Sequence, residues 1–470
     1  MALPPNKFSG ALQENILTLL CFDSEACPII IAAVDTSLFE SGVYRTIADR
    51  SIAYFRKYKK APADHLPDLI EDFLSSKKKS QVRMYTEALH DLRDLSDGIN
   101  RKFVLDEIAK FVRQQSLRQS ITIAAEELQQ GNLDTAERHL LEGLKKRIIV
   151  FEKGMTVTEA IASPSLYDPQ KDLIRTGIQP FDDDGVCPAP GELYTVMALA
   201  KRGKTWWMQS IGKYAAMQRK NVLHISLEMS EEKIARRYVQ SFFAMTRRPE
   251  IFSVPIIKRD DRDRFLSLSS KRMRKRPSLL EPSSKKRVKG RAKRFGKKFD
   301  RILIKQFPTN QLTTDGLYAY LEMLEQEESF HPDLVIIDYA DLMKLDINNI
   351  RVDTGRVYKD LRGLAVDQNI AVVTASQSNR SGEDSRLLTM KNFAEDYSKA
   401  GISDNIVTYN QTPQEKELGL ARLFSVAARD EKSGQTVLIT QSYSSGQFAL
   451  DAVRLTSAKT YWEEIDSKRR

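Results

Sequence analysis

The sequence predicts an all-α N-terminal domain followed by an α/β domain, whose mainly parallel sheet is extended by antiparallel strands toward the C-terminus. Three observations carry this expectation. The hydrophobic period changes after about residue 178, short apolar runs then alternate with amphipathic helices, and a phosphate-type loop joins one such run to the helix after it. A length of 470 residues fits two or three domains, because one hydrophobic core rarely grows past roughly 250 to 300 residues.

From about Ala11 to Arg147 the chain has few glycines or prolines, and apolar residues recur at helical spacing, as at Leu105, Ile108 and Val112. Asp134-Thr135-Ala136-Glu137 reads as a capping box opening a helix with Leu140, Leu141 and Leu144. The expected division is a helical domain over 1–150, a linker over 151–178 loosened by Pro164 and Pro169, an α/β domain over 179–460, and a tail over 461–470. Strands are expected at Leu193 to Ala198, Val222 to Leu227, Ile302 to Phe307, Leu334 to Asp338 and Ile370 to Ala375. Buried strands separated by helices imply parallel pairing with both faces covered. Ala421 to Ala428, Thr436 to Tyr443 and Phe448 to Val453 follow at hairpin spacing and extend the sheet as antiparallel strands.

Composition excludes several classes. With 41% apolar and 29% charged residues, the chain is neither disordered throughout nor a coiled coil. No apolar stretch approaches the roughly 20 residues of a membrane span, and no secretory leader pattern is seen. Cys21, Cys27 and Cys187 cannot all pair, and no zinc spacing exists among five histidines, so a reducing cytoplasm is expected. The net charge of +10 is local: residues 258–301 hold 19 Lys and Arg against 5 acids, or +14, which leaves −4 elsewhere. The few apolar residues there could not bury a core of their own. The segment reads as a phosphate-binding arm or as a solvated, flexible insertion, and its two basic clusters also resemble a bipartite nuclear-import signal.

The sharpest local signal is Ala198-Leu199-Ala200-Lys201-Arg202-Gly203-Lys204-Thr205, with Trp206 next, between an expected strand and an expected helix. In such a loop, backbone N–H groups cradle phosphate, the lysine reaches the β and γ phosphates, and the threonine hydroxyl holds Mg²⁺. Ala198 departs from the usual first glycine, and the rival reading is an ordinary helix start. Leu334 to Asp338 supplies the matching partner, an apolar strand ending in a carboxylate able to reach a metal shell. Glu228, after the strand ending at Leu227, sits where a catalytic base is needed, or else is a first-turn acid favouring the next helix. Gln377 ends another strand, either as a γ-phosphate contact or as a polar residue closing the strand.

In order, Thr176-Gly177-Ile178, Pro190-Gly191-Glu192-Leu193, the loop at 198–205, Ser226-Leu227-Glu228-Met229-Ser230, Ile337-Asp338-Tyr339 and Ser376-Gln377-Ser378-Asn379-Arg380 resemble the signatures of the DnaB-type hexameric replicative helicases. That resemblance implies a RecA-like P-loop NTPase motor behind a helical domain, and ATP with Mg²⁺ as cofactors. It further implies a homo-oligomeric ring of six, single-stranded and forked DNA as substrate, and a primase and a loader as partners. In it, Ala198, Lys201, Arg202, Gly203, Lys204, Thr205 and Trp206 hold nucleotide, Thr205 and Asp338 hold the metal, Glu228 is the base, and Gln377 couples the γ-phosphate to DNA loops. The family's arginine finger, usually in a K-x-R pattern, falls at Arg429, where Ala427 replaces the lysine. The implied DNA contacts are Arg351, Arg356, Lys359, Arg362, Arg380, Arg386 and Lys391. A RecA-type strand-pairing ATPase, or a nucleotide-gated scaffold without turnover, is the alternative reading.

Overall fold

The structure is a computed structural model, and it describes residues 7–75, 78–133, 135–136, 138–140, 154–163, 167, 172–199, 202–273, 277–345, 350–378, 386–389, 397–429 and 432–468. The chain divides into two compact units, Met1–Ala160 and Ile161–Arg470.

In the first unit the breaker-poor stretch forms α1 (Lys7–Phe22), α2 (Cys27–Ala33), α3 (Gly42–Tyr58), α4 (Leu66–Leu74), α5 (Lys79–Ser96) and α6 (Arg101–Gln129). Ser41 and Asn100 accept the orphan N–H groups of Val43 and Phe103 at the starts of α3 and α6. The apolar faces meet in one core around Ile16, Leu17, Leu20, Ile47, Ile70, Ile108 and Phe111, with Val112 in it and Leu105 packed against it. Asp134, Glu137, Leu141 and Leu144 of the expected capping box and its helix lie outside the described residues, as do 151–153, 164–166 and 168–171 of the expected linker.

The second unit carries a nine-stranded sheet in the order β11-β10-β9-β8-β1-β7-β6-β2-β5. Its strands are β1 (Leu193–Ala198), β2 (Val222–Ser226), β5 (Ile302–Gln306), β6 (Leu334–Asp338), β7 (Ala371–Gln377), β8 (Asn405–Asn410), β9 (Leu420–Ala428), β10 (Thr436–Ser442) and β11 (Gln447–Arg454); β3 (Phe252–Arg259) and β4 (Phe265–Met273) form a separate hairpin. β8, β1, β7, β6, β2 and β5 are parallel, and β9, β10 and β11 run antiparallel. β1, β2, β6 and β8 are buried along their whole lengths, which explains the mainly apolar runs of β1, β2 and β6. β8 escaped the sequence reading because Asn405, Thr408 and Asn410 interrupt its apolar pattern; Asn410 spends its amide on Thr408 and Arg422.

Helices α7 (Lys204–Met217), α8 (Glu231–Phe243), α9 (Pro282–Phe295), α10 (Thr314–Glu328), α11 (Ile350–Gln368) and α12 (Ala458–Ser467) complete the frame. Two expectations change here. The basic segment is folded rather than loose, because β3 and β4 borrow a core, burying Ile257, Phe265 and Leu268 with Leu420, Leu438, Val453, Tyr461 and Ile465. The expected tail is helical in α12, where Tyr461 and Ile465 are buried and the Tyr461 hydroxyl donates to Glu415, already paired with Arg422 at 2.6 Å.

His224, in the middle of β2, is fully buried; its Nδ1 lies 2.9 Å from the Tyr238 hydroxyl, and burial, with Arg237 nearby, pushes it down to about 3. The folded chain therefore keeps this ring neutral while the unfolded chain protonates it near 6.5, so stability falls as pH drops from 6.5 toward 3, by roughly 5 kcal/mol as an upper bound. His224→Gln is expected to flatten the decline of the urea midpoint between pH 7 and pH 4; an unchanged slope would assign the acid sensitivity elsewhere.

Candidate functional site

β1 ends at Ala198 and α7 begins at Lys204, so the loop between them meets the first turn of a helix whose N–H groups lack partners. Gly203 caps α7 with φ near +102°, and a Cβ there would fall 2.5 Å from the Tyr443 hydroxyl. Both the backbone conformation and the close approach require glycine. The Lys204 side chain, 8% exposed, folds back along the loop with Nζ 3.4 Å from the Ala198 carbonyl and 5.5 Å from the Tyr339 ring centre. Burial pushes this ammonium down, against the pull of Asp338, Asp341 and Glu228. No described carboxylate lies within ion-pair distance of Lys204, so its charge remains available to an anion.

Parallel pairing brings the other candidates to the same end of the sheet. Ser226 and Asp338 are register partners on β2 and β6, and Ala198 and Gln377 are partners on β1 and β7. Asp338 is 1% exposed. Burial raises its carboxyl to about 6, with Glu228 adding to the rise and the Thr205 hydrogen bond, Lys204 and Arg237 opposing it. Its Oδ2 is buried without a hydrogen-bond partner, which is costly unless a cation or donor joins it. Glu228 is exposed two residues beyond the tip of β2. Gln377 donates from Nε2 to the Tyr339 hydroxyl at 2.7 Å, so it is tied to the residue next to Asp338.

One hydroxyl, one orphaned carboxylate oxygen and a buried lysine fit a nucleotide-bound Mg²⁺, which takes one or two protein oxygens and leaves its other positions to phosphate and water. A dedicated protein cage is not needed for that, and no group of three or more His, Cys, Asp or Glu able to hold a metal occurs among the described residues.

The sequence reading missed several side chains here. Arg237 on α8 lies over the Trp206 ring at 4.8 Å, Trp206 stacks on Tyr443 at 5.3 Å, and the Tyr443 hydroxyl is 3.3 Å from that of Tyr409. Burial lowers the Arg237 guanidinium, while Asp338 and Glu228 hold it charged. Lys399, buried, pairs with Asp341 at 2.8 Å just beyond Tyr339. The only local signal for Arg237 was a cation on the inward side of an amphipathic helix, one turn after buried Ile234.

Other candidates lie elsewhere. Arg202 turns aside and donates to the Gln411 carbonyl at 3.1 Å. Arg429 pairs with Asp404 at 2.7 Å, and Asp404, 2% exposed, also binds Arg362 at 3.1 Å and accepts the Leu193 N–H. Asp404 precedes β8, so this cluster sits at the opposite end of the sheet from the loop, about 15 to 20 Å away along strands of this length. The expectation that Arg362 lies on a DNA-facing loop is corrected: the C-terminal half of α11 runs back toward the strand starts, where Asp404 takes its charge. Arg386 lies 4.5 Å over the Trp462 ring. Arg356 and Lys359 are exposed on α11. Lys201, Arg380 and Lys391, and the side chain of Arg351, lie outside the described residues.

Residues 174–387 match the family described as the DnaB-like helicase C terminal domain. Over these residues the second unit is similar to the DnaB-like helicase C-terminal domain. DnaB-like replicative helicases are ATP-dependent DNA helicases, and two relatives resemble the chain at low identity. The DnaB-like replicative helicase of Enterobacteria phage T4 is 23% identical over 231 residues, 48% of this chain and 43% of that protein. The replicative DNA helicase DnaB of Buchnera aphidicola subsp. Baizongia pistaciae is 23% identical over 405 residues, 81% of this chain and 79% of that protein. The chain thus spans less than half of the phage relative's length. A solved structure of a DnaB-like replicative helicase and its interactions with primase superposes with a TM-score of 0.52 at 14% identity, covering 94% of this chain and 99% of that one, which establishes likeness of fold. Among the described residues no helix is long and apolar enough to cross a membrane.

Proposed function

We propose that this chain is a replicative DNA helicase, hydrolysing ATP with Mg²⁺ to move along single-stranded DNA as a ring of like subunits and to open duplex ahead of it. The observation that carries the reading is the gathering of Lys204, Thr205, Glu228, Asp338 and Gln377 at one end of the sheet while Arg429 stands at the other. One subunit cannot close its own site with that arginine, whereas a neighbour's strand starts can.

In this reading the free N–H groups at the start of α7 and Lys204 bind the β and γ phosphates. The Thr205 hydroxyl and the orphaned Asp338 oxygen hold the cation, which would neutralise charge on the phosphates. Glu228, exposed and unburdened by an ion pair among the described residues, takes the proton of the attacking water. Gln377 senses the γ-phosphate and passes its position through Tyr339 to the segments after β6 and β7. Arg237, clamped on Trp206, keeps positive charge beside the two carboxylates. Arg429 of one subunit leaves Asp404 to Arg362 and reaches the neighbour's γ-phosphate. Arg356, Lys359, Arg386, Arg351, Arg380 and Lys391 are the proposed DNA contacts, and a primase and a loader are the proposed partners.

The deciding experiment measures ATP hydrolysis with and without single-stranded DNA on material whose oligomeric mass is recorded at the same time. Hydrolysis should rise with DNA, and the active fraction should be a ring. Turnover confined to monomer, or indifferent to DNA, would end the helicase reading. Homologous pairing without unwinding of a forked duplex would favour a strand-pairing ATPase instead.

A further inference from the structure

Nothing in the nucleotide site uses the largest charge in the molecule, which the structure sets on α9. Both ends of this helix are fastened to the frame. At its start, the Ser284 hydroxyl donates to the Ser278 carbonyl, Ser278 donates from Oγ to the Arg247 carbonyl at 3.1 Å, and the Thr246 and Leu279 N–H groups bond to the Pro277 and Thr246 carbonyls. Beyond its end, the Phe299 ring packs 4.9 Å from Phe242 and 5.6 Å from Phe243 of α8.

The faces of the helix are sorted. Ser284, Val288 and Ala292, spaced by four, are buried or half-buried, whereas Lys285, Lys286, Arg287, Lys289, Arg291 and Lys293 are all exposed. At 100° per residue, Lys285, Lys286, Lys289 and Lys293 share one face. None of the six has a carboxylate partner among the described residues. Lys285 and Lys289, Lys289 and Lys293, and Arg287 and Arg291 are like charges four apart, which disfavours the helix, and the first turn holds no acid to suit the helix dipole. Exposed Arg247 and Arg248, on the turn that anchors α9, add to the same charge.

We propose that α9 is a second nucleic-acid surface of this chain, separate from the strand-tip loops, that grips the phosphodiester backbone of DNA. It rests on the helicase reading only for the choice of DNA as the polyanion. Lys285 to Lys293 spans about 12 Å of helix. Over that length a duplex presents a phosphate roughly every 1.7 Å of axis, enough to engage all four lysines. A membrane-surface helix pairs its cations with large apolar side chains, and a protein interface needs an apolar or aromatic centre; the described exposed faces of α9 hold neither. Fastening at both ends removes the ordering cost that a flexible basic arm would meet on binding.

The test replaces Lys285, Lys286, Lys289 and Lys293 together by alanine in the full chain. Binding to a labelled single strand and to a labelled blunt duplex is then followed across salt concentrations. The slope of log K against log salt should become shallower by about 2 to 4, and affinity at low salt should fall at least about tenfold, on one or both DNAs. A change on the duplex alone assigns the surface to duplex ahead of the motor, and a change on the single strand alone assigns it to an unwound strand. Thermal stability should hold or rise, since alanine favours helix and relieves repulsion, and ATP hydrolysis without DNA should be unchanged. Unaltered slopes on both DNAs overturn the proposal, as does a loss confined to binding of phosphatidylserine vesicles. If wild-type ATP turnover ignores DNA, the helicase reading fails while this slope comparison still stands.

Discussion

Lys204→Ala is expected to lower DNA-stimulated ATP hydrolysis by at least about 10²- to 10³-fold, the range typical for removing one preorganised charge from a transition state. The chain should stay folded. Lys204 is buried, drawn toward three carboxylates without an ion pair, and bonded only weakly to Ala198, so its ammonium is held at a desolvation cost that alanine removes. Loss of packing by the lysine stem and relief of that cost oppose each other, and the thermal midpoint should move by only a few degrees. Turnover within threefold of wild type would remove Lys204 from the site and with it the assignment of the loop. A collapse of the fold would show that the buried ammonium is structural.

Arg429→Ala should cost more, about 10³- to 10⁵-fold in turnover, with nucleotide binding retained, if the arginine acts on a neighbour's phosphate. Asp404 limits the structural damage. Its carboxylate keeps Arg362 at 3.1 Å and the Leu193 N–H at 3.0 Å after Arg429 is gone. The distinguishing measurement mixes the two variants. Rings containing both Lys204→Ala and Arg429→Ala subunits hold some interfaces in which an intact Lys204 faces an intact Arg429, so mixtures should recover activity that neither variant shows alone. A mixture as inert as its components would count against a shared site and leave Arg429 as a surface partner of Asp404.

Charge assignments show where local reading reached its limit. Arg429 and Arg362 were both expected at the working surface, one by its motif and the other by its place after β6. The structure joins them through Asp404, a residue without a motif, just before a strand that polar residues had hidden. Arg237 went the other way: unremarkable in sequence, it is brought over Trp206 and beside Asp338 and Glu228 when α8 packs on α7. The basic segment reads in sequence as a phosphate-binding arm or a flexible insertion, because its own apolar residues are too few to bury a core. That count holds, and the flexible alternative does not, since Ile257, Phe265 and Leu268 are covered by residues more than 150 positions later in the chain.

By itself the sequence determined the helical first unit, the alternation that makes a parallel sheet, the strand–loop–helix around Lys204, and the strand ending at Asp338. Each is written in contiguous residues, through apolar period, a glycine where φ must be positive, or a carboxylate at a strand tip. Only the tertiary structure decided which ends of the sheet share a site, which cations are spent on Asp404, and which helix carries the uncompensated charge. Those outcomes depend on pairing between distant strands and on burial, and burial is a property of what covers a side chain rather than of its neighbours in sequence.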